Sequence, residues 1–309
     1  MENFRCGYVG IVGRPNVGKS TFLNKALGQK VSITSGKPQT TRNRVMGIYN
    51  AEGVQAVLVD TPGHHDARSE LNRRMVHAAE AALAEVDLVV LMIDLVPATK
   101  AAGADKAVLS KGEEVLLERI AAEGHPCILA LNKVDIIPRQ ALLPVIDAWR
   151  TKHDFAAVVP FSALTGDGVE PLLAEITRLL PKHPPFFPTD QLMDSSERFV
   201  VAEIIREKLF HLLQEELPYS VAVEIEAFDE EERGDDRPFV KINARIIVER
   251  SSQKGIVIGR GGQMLKRVGT LARKDIQRLL GCGVYLELFV AVENNWTKNG
   301  RLLRQLGYE

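Results

Sequence analysis

One octapeptide, Gly13-Arg14-Pro15-Asn16-Val17-Gly18-Lys19-Ser20, constrains the chain more than any other feature. Its spacing is G-x-x-x-x-G-K-[ST]. It follows an apolar run with strand character, Tyr8 to Gly13, and opens a helical pattern, Lys19 to Leu27. In that setting Gly13 and Gly18 let backbone N–H groups wrap closely around phosphate oxygens, while the positive helix end and the Lys19 ammonium meet the anionic charge. Ser20 is placed to offer its hydroxyl to Mg2+. A fold built around such a loop has a strand end and a helix start at one point, as in a parallel α/β sheet.

The flanking pattern agrees. Short apolar runs at Val54 to Asp60, Asp87 to Asp94, Cys127 to Asn132 and Ala156 to Phe161 alternate with helical patterns at Ser69 to Ala84, Lys111 to Ala122, Gln140 to Lys152 and Val169 to Leu180. This predicts a doubly wound, mostly parallel α/β domain over residues 1–180. Pro181, Pro184, Pro185 and Pro188 then remove amide donors and fix φ, which makes 181–196 a stiff linker. Beyond it a helix from Glu197 to Glu216, strands at Val221 to Phe228 and Phe239 to Glu249, a basic helix and a last strand at Val284 to Val292 read as an α+β domain over 197–309. With 309 residues, 45% of them hydrophobic, two cores are affordable.

Three further segments follow in order along the chain. Asp60-Thr61-Pro62-Gly63 ends an apolar strand, where a carboxylate can hold Mg2+ through water and the Gly63 amide can sense a γ-phosphate. Asn132-Lys133-Val134-Asp135 carries the base reader: the two acceptor oxygens of Asp135 suit the ring N–H and exocyclic amine of guanine, whereas adenine offers the wrong donor pattern. Asn132 should brace the phosphate loop, and Lys133 should lay its stem along the base. Ser162-Ala163-Leu164 should present a backbone donor to the guanine carbonyl. The polar stretch Thr34 to Arg44 has the composition of a switch loop, in which Thr41, with Thr40 as the alternative, adds a hydroxyl to Mg2+ once GTP is bound. The predicted reaction is in-line attack of water on the γ-phosphate, with Lys19, Mg2+ and loop amides stabilising charge and no protein nucleophile.

In the C-terminal part, Ile258-Gly259-Arg260-Gly261-Gly262 fits the G-x-x-G loop of a KH domain, which clamps a single-stranded nucleic-acid backbone. The strands before the loop give the prokaryotic order. Residues 241–280 hold ten Lys or Arg against Glu249 and Asp275, a local net charge of plus eight. Such a patch supplies salt-sensitive phosphate affinity. Lys254, Ile256, Ile258, Gly259, Arg260, Gly261, Gly262, Lys266 and Arg267 are the candidate RNA contacts.

Overall charge is nearly balanced, 39 basic against 40 acidic residues, so bulk charge predicts no polyanion partner. Cys6, Cys127 and Cys282 are odd in number and far apart, which argues against a disulfide framework or a zinc site and for a reducing cytoplasm. The first residues lack a leader pattern, and the longest apolar runs are too short to span a bilayer.

On these motifs the chain resembles the Era family of bacterial GTPases along nearly its whole length: Gly13 to Thr21, Gln39-Thr40-Thr41-Arg42, Asp60 to Gly63, Asn132 to Asp135, Ser162 to Leu164 and the KH module. The resemblance implies a cytoplasmic factor in assembly of the 30S subunit. It further implies binding near the 3′ end of small-subunit ribosomal RNA and peripheral association with the inner membrane. A monomer with GTP and GDP as ligands, and no DNA partner, is the corresponding expectation.

One position departs from the family pattern. His64 stands where an apolar residue is usual, and its imidazole either orients the attacking water, as the residue at this place does in translational GTPases, or is a solvated loop histidine. Asn16 either holds K+ beside the phosphates, as in related GTPases with Asn at this position, or satisfies loop backbone; Arg42 and Arg44 are the rival sources of positive charge. The alternative to an enzyme is an RNA-binding scaffold that holds guanine nucleotide for structure alone.

Overall fold

The computed structural model describes residues 4–35, 37, 42, 44–61, 83–103, 109–232 and 238–308, which fall into two compact units. Of the described residues, the first unit takes those up to Ser32 and from Arg42 to Asp194, and the second takes Ile33 to Ser35, Lys37 and those from Ser195 onward.

The first unit is a six-stranded sheet of β1 (Arg5–Val12), β2 (Val45–Ala51), β3 (Val54–Asp60), β4 (Leu88–Asp94), β5 (Cys127–Asn132) and β6 (Ala157–Phe161). The order is β2-β3-β1-β4-β5-β6, with β2 antiparallel to β3 and every other pair parallel. Strands β3 and β5 are buried along their whole length, as continuous apolar runs covered on both faces should be. Helices α1 (Lys19–Leu27), α2 (Leu95–Gly103), α3 (Lys111–Glu123), α4 (Leu142–Arg150) and α5 (Val169–Leu179) supply the described cover. Ser110 starts α3 with a reciprocal cap: its hydroxyl accepts the Glu113 amide while the Glu113 carboxylate accepts the Ser110 amide. Because β1 lies between β3 and β4, the chain turns opposite ways on its two sides, and the crevice at the carboxyl ends of these strands is where an α/β sheet binds ligands.

Two described elements of the first unit escape the sequence reading, and the helical pattern at Ser69 to Ala84 lies almost wholly outside the described residues. Strand β2 carries Gly47, which weakens strand propensity; a Cβ there would come within 2.5 Å of Leu27 and 2.7 Å of Leu23, so the glycine lets α1 pack directly on the strand. Helix α2 has Pro97 in its first turn, where a missing amide donor costs nothing. The Pro-rich segment runs antiparallel contacts along the first unit, with Lys182 bridging Arg5 and Met193 bridging Gly47.

The second unit holds β7 (Ala222–Glu232), β8 (Pro238–Val248) and β9 (Gly283–Val292), with β7 and β8 antiparallel and β8 and β9 parallel. Helices α6 (Glu197–Leu212) and α8 (Gln263–Leu280) pack together; α7 (Ser251–Ile258) precedes the glycine loop, and α9 (Gly300–Gln305) ends the unit. Val268, Ala272 and Ile276, at intervals of four along α8, are fully buried, while Lys266, Arg267, Arg273, Lys274 and Arg278 stay exposed. Helix–strand–strand–helix–helix–strand is the order of the prokaryotic KH fold. Thr34 and Lys37 lie against α6: the Thr34 amide donates to Glu207 at 3.1 Å, and Lys37 Nζ donates to the carbonyls of Phe210 and Leu213 at 2.6 and 2.5 Å.

Candidate nucleotide and RNA sites

Four strand ends bring the predicted nucleotide residues together. Leaving β1, the phosphate loop passes through Gly13, exposed Arg14 and Asn16, half-buried Pro15 and buried Val17 before Gly18 starts α1 in the left-handed region. A Cβ on Gly18 would lie 2.2 Å from Asn132 Nδ2, so a glycine is required both for φ and for space. Asn16 is also left-handed, at φ +63°.

Lys19 Nζ donates to the carbonyls of Gly13 and Arg14 at 3.0 and 3.2 Å, curling over the loop. Burial pushes its ammonium below the ordinary lysine range, with the Asp60 carboxylate opposing the shift. A buried lysine inside its own loop is poised to exchange those carbonyls for phosphate oxygens, which carry more charge. On the next residue of α1, Ser20 donates its hydroxyl to Asp60 Oδ2 at 2.6 Å. A hydroxyl and a carboxylate oxygen that close are hard donors of the kind Mg2+ takes, and they stand beside the lysine that meets the phosphates. The pair therefore fits the ion.

Asn132 is the brace the sequence predicts. Its Nδ2 donates to the Val17 carbonyl at 2.6 Å, and its Oδ1 accepts the Lys133 and Ala163 amides at 2.8 and 2.9 Å, so one side chain ties the phosphate loop to both base-side loops. Lys133, left-handed at φ +76°, pairs with Asp94 at 2.5 Å, which holds its stem in one direction; Asp94 was not anticipated. Asp135 is exposed in a single turn, Val134–Ile136. Ser162 is fully buried, with its hydroxyl accepting the Thr165 amide, and Leu164 is exposed. Because the Ala163 amide is already donated to Asn132, a guanine carbonyl would share that donor. Thr40, Thr41, Gly63 and His64 lie outside the described residues. Of the rival cations, Arg42 is buried and Arg44 pairs with Glu85 at 2.8 Å.

The glycine loop of the second unit opens onto a groove of about 420 Å³ between α8 and β9, lined by Gly262, Leu265, Lys266, Gly269, Thr270, Arg273, Leu286 and Leu288. Gly259, Gly261 and Gly262 all have positive φ, which turns the backbone tightly between α7 and α8. Arg260, Gly261 and Arg267 are exposed, and Ile256 is 57% exposed on α7, whereas Lys254 and Ile258 are half-buried. The apolar wall of Leu265, Leu286 and Leu288 was missed, since it comes from two elements that only the fold brings together. Arg245, counted in the basic patch, is instead held by Glu224, Glu226 and Glu293 at 2.6, 3.3 and 3.4 Å on the far face of the sheet, so its charge is already met.

A phosphate loop, a hydroxyl–carboxylate metal pair and an N-K-x-D loop on a doubly wound sheet, followed by a glycine-loop RNA groove, define a P-loop GTPase with a KH domain. The models of a 50S ribosome-binding GTPase and of a KH domain match residues 8–133 and 216–297. The chain belongs to the Era family of GTPases. It is 49% identical over 310 residues to GTPase Era of Geotalea uraniireducens, covering 100% of this chain and 99% of the relative, and 49% identical over 309 residues to that of Geobacter sp. strain M21, with the same coverage. Among solved structures, an Aquifex aeolicus Era variant bound to GDP.AlF4- superposes with a TM-score of 0.91 at 39% identity. An Era complex with MgGDPNP and nucleotides 1506–1542 of 16S ribosomal RNA gives 0.90 at 39%, and in both cases 99% of each chain is covered.

Proposed function

We propose that this chain binds GTP and GDP with Mg2+, hydrolyses GTP, and clamps small-subunit ribosomal RNA near its 3′ end in the KH groove during assembly of the 30S subunit. The observation that carries the reading is that Lys19 and Asn132 each hydrogen-bond the backbone of the phosphate loop while Ser20, the residue after Lys19, bonds Asp60, on a chain that also carries a KH groove lined by Lys266 and Arg273. The 16S RNA fragment bound by the solved relative supports the choice of RNA.

Water attacks the γ-phosphorus in line, the bond to the bridging oxygen of the β-phosphate breaks, and GDP leaves with the electron pair. Lys19 and the loop amides stabilise the charge that gathers on the phosphate oxygens. Ser20 and Asp60 would hold Mg2+, with Thr41 added in the GTP state, and the ion would supply positive charge against the phosphates. His64 would orient the attacking water, and Asn16 would hold K+ if the ion supplies the further positive charge. Asp135 selects guanine. The hydrogen bonds of Thr34 and Lys37 to α6 support a link from the switch loop to the RNA unit, with RNA affinity depending on the nucleotide. The protein works as a monomer in the cytoplasm, has no DNA partner, and associates peripherally with the inner membrane; no helix among the described residues is long and apolar enough to cross one.

The test is GTP turnover in K+ and in Na+, with and without an RNA matching the 3′ end of the small-subunit RNA, against a Lys19→Ala control. Turnover that exceeds the control, rises with RNA and loses that rise in a Gly261→Asp, Gly262→Asp double variant is expected. Turnover equal to the control would leave a nucleotide-stabilised RNA scaffold.

A further inference from the structure

Asp60 is fully buried and lies where β3 ends, yet the residues that orient its carboxylate are not all in the nucleotide motifs. Ser20 and Ser32 both donate hydroxyls to the same oxygen, Oδ2, at 2.6 and 3.1 Å. Ser32 is itself only 3% exposed and belongs to no motif in the sequence. It reaches Asp60 because Asn24, in the middle of α1, grips its backbone: Asn24 Oδ1 accepts the amides of Val31 and Ser32 at 2.8 and 2.9 Å, and Nδ2 donates to the Ser32 carbonyl at 2.7 Å. Three hydrogen bonds from one side chain leave the Ser32 peptide little freedom.

A buried carboxylate needs donors to remain charged, and donors on one oxygen also fix the plane of the group. The two hydroxyls differ in their tasks. Ser20 turns a lone pair to Mg2+ in the reading above, whereas Ser32, from the segment after α1, gives its hydroxyl to the carboxylate. We propose that Ser32, clamped by Asn24, is a positioning residue that sets the orientation of Asp60 and thereby the affinity for Mg2+ in the nucleotide complex. It rests on the nucleotide reading. Partners of a metal-binding group typically matter by about 10–100-fold in metal affinity.

The experiment measures dissociation of a fluorescent GDP analogue from the full-length protein as free Mg2+ is varied. In the parent protein Mg2+ should slow release, and its half-saturating concentration is the readout. Ser32→Ala should raise that concentration about ten-fold while leaving the release rate in excess EDTA unchanged, a separation that a general loosening of the loop would not give. Asn24→Ala should show the same shift, and Ser32→Thr, which keeps the hydroxyl, should restore the parent value. An unchanged half-saturation in Ser32→Ala overturns the proposal. So does an equal acceleration with and without Mg2+. If Ser32→Ala fails to fold, Asn24→Asp, which keeps both amide contacts but loses the bond to the Ser32 carbonyl, carries the same comparison. A parent protein that holds no guanine nucleotide would overturn the nucleotide reading itself, a result separate from these.

Discussion

Gln55 pairs with both backbone groups of Phe187: its Oε1 accepts the Phe187 amide at 2.9 Å and its Nε2 donates to the Phe187 carbonyl at 2.8 Å. The same oxygen accepts the Phe186 amide at 2.8 Å, and the same nitrogen donates to Asn50 at 2.9 Å. One fully buried side chain on β3 thus does for the Pro-rich segment what a neighbouring strand would do. Prolines cannot supply those donors, so the few amides between them become the attachment points.

Gln55→Leu keeps the volume and removes every one of these bonds. It should destabilise the first unit by about 2 kcal/mol, because partly buried amides lose their acceptor. Urea unfolding followed by Trp149 fluorescence, in a Trp296→Phe background, measures it. Gln55→Glu should be no better, since a carboxylate oxygen would face the Phe187 carbonyl.

Asn132→Ala should cost guanine-nucleotide affinity without touching a nucleotide contact of its own. Two buried hydrogen bonds, to Val17 and Ala163, disappear at about 1 kcal/mol each, which corresponds to roughly a 30-fold rise in the dissociation constant for GDP. Equilibrium titration with a fluorescent GDP analogue gives the number directly.

The two basic residues Lys266 and Arg245 should behave differently toward RNA. Lys266 lines the groove, so Lys266→Ala should weaken single-stranded RNA binding and reduce the slope of log affinity against log salt by about 0.7. Arg245 is already paired with Glu224, Glu226 and Glu293; Arg245→Ala should leave that slope unchanged and lower the stability of the second unit. Titrations at several salt concentrations separate the two.

Burial pushes the Cys127 thiol up to about 12 from its ordinary 9.0. Between those values the unfolded chain has released its thiol proton while the folded chain keeps it. This contribution is therefore complete below pH 9 and is lost as pH rises toward 12, at up to about 1.4 kcal/mol per pH unit. Cys127→Ala should flatten the alkaline limb of a plot of urea midpoint against pH. An unaltered limb would assign the alkaline loss to other groups.

The motifs, their order and both fold classes are legible along the chain because each is a local pattern. Lys19 follows Gly18 on the same turn, and Asn132 precedes Asp135 on one loop, so spacing alone announces the chemistry. Apolar runs as long as Leu88 to Ile93 announce buried strands in the same way. Strand β2 was not legible, because Gly47 makes a poor strand residue until Leu23 and Leu27 pack upon it. Nor was the tie between Asn24, Ser32 and Asp60, whose members are eight and 28 residues apart and are ordinary polar residues in isolation. Arg245 shows the limit most directly. In the sequence it is one of ten positive charges, and only the register of β7 beside β8, which sets Glu224 opposite it, decides that its charge is spent. Residue type and local period specify which chemistry a chain can carry. Which polar groups meet across the core depends on burial that many distant residues create together, and that is a property of the tertiary structure.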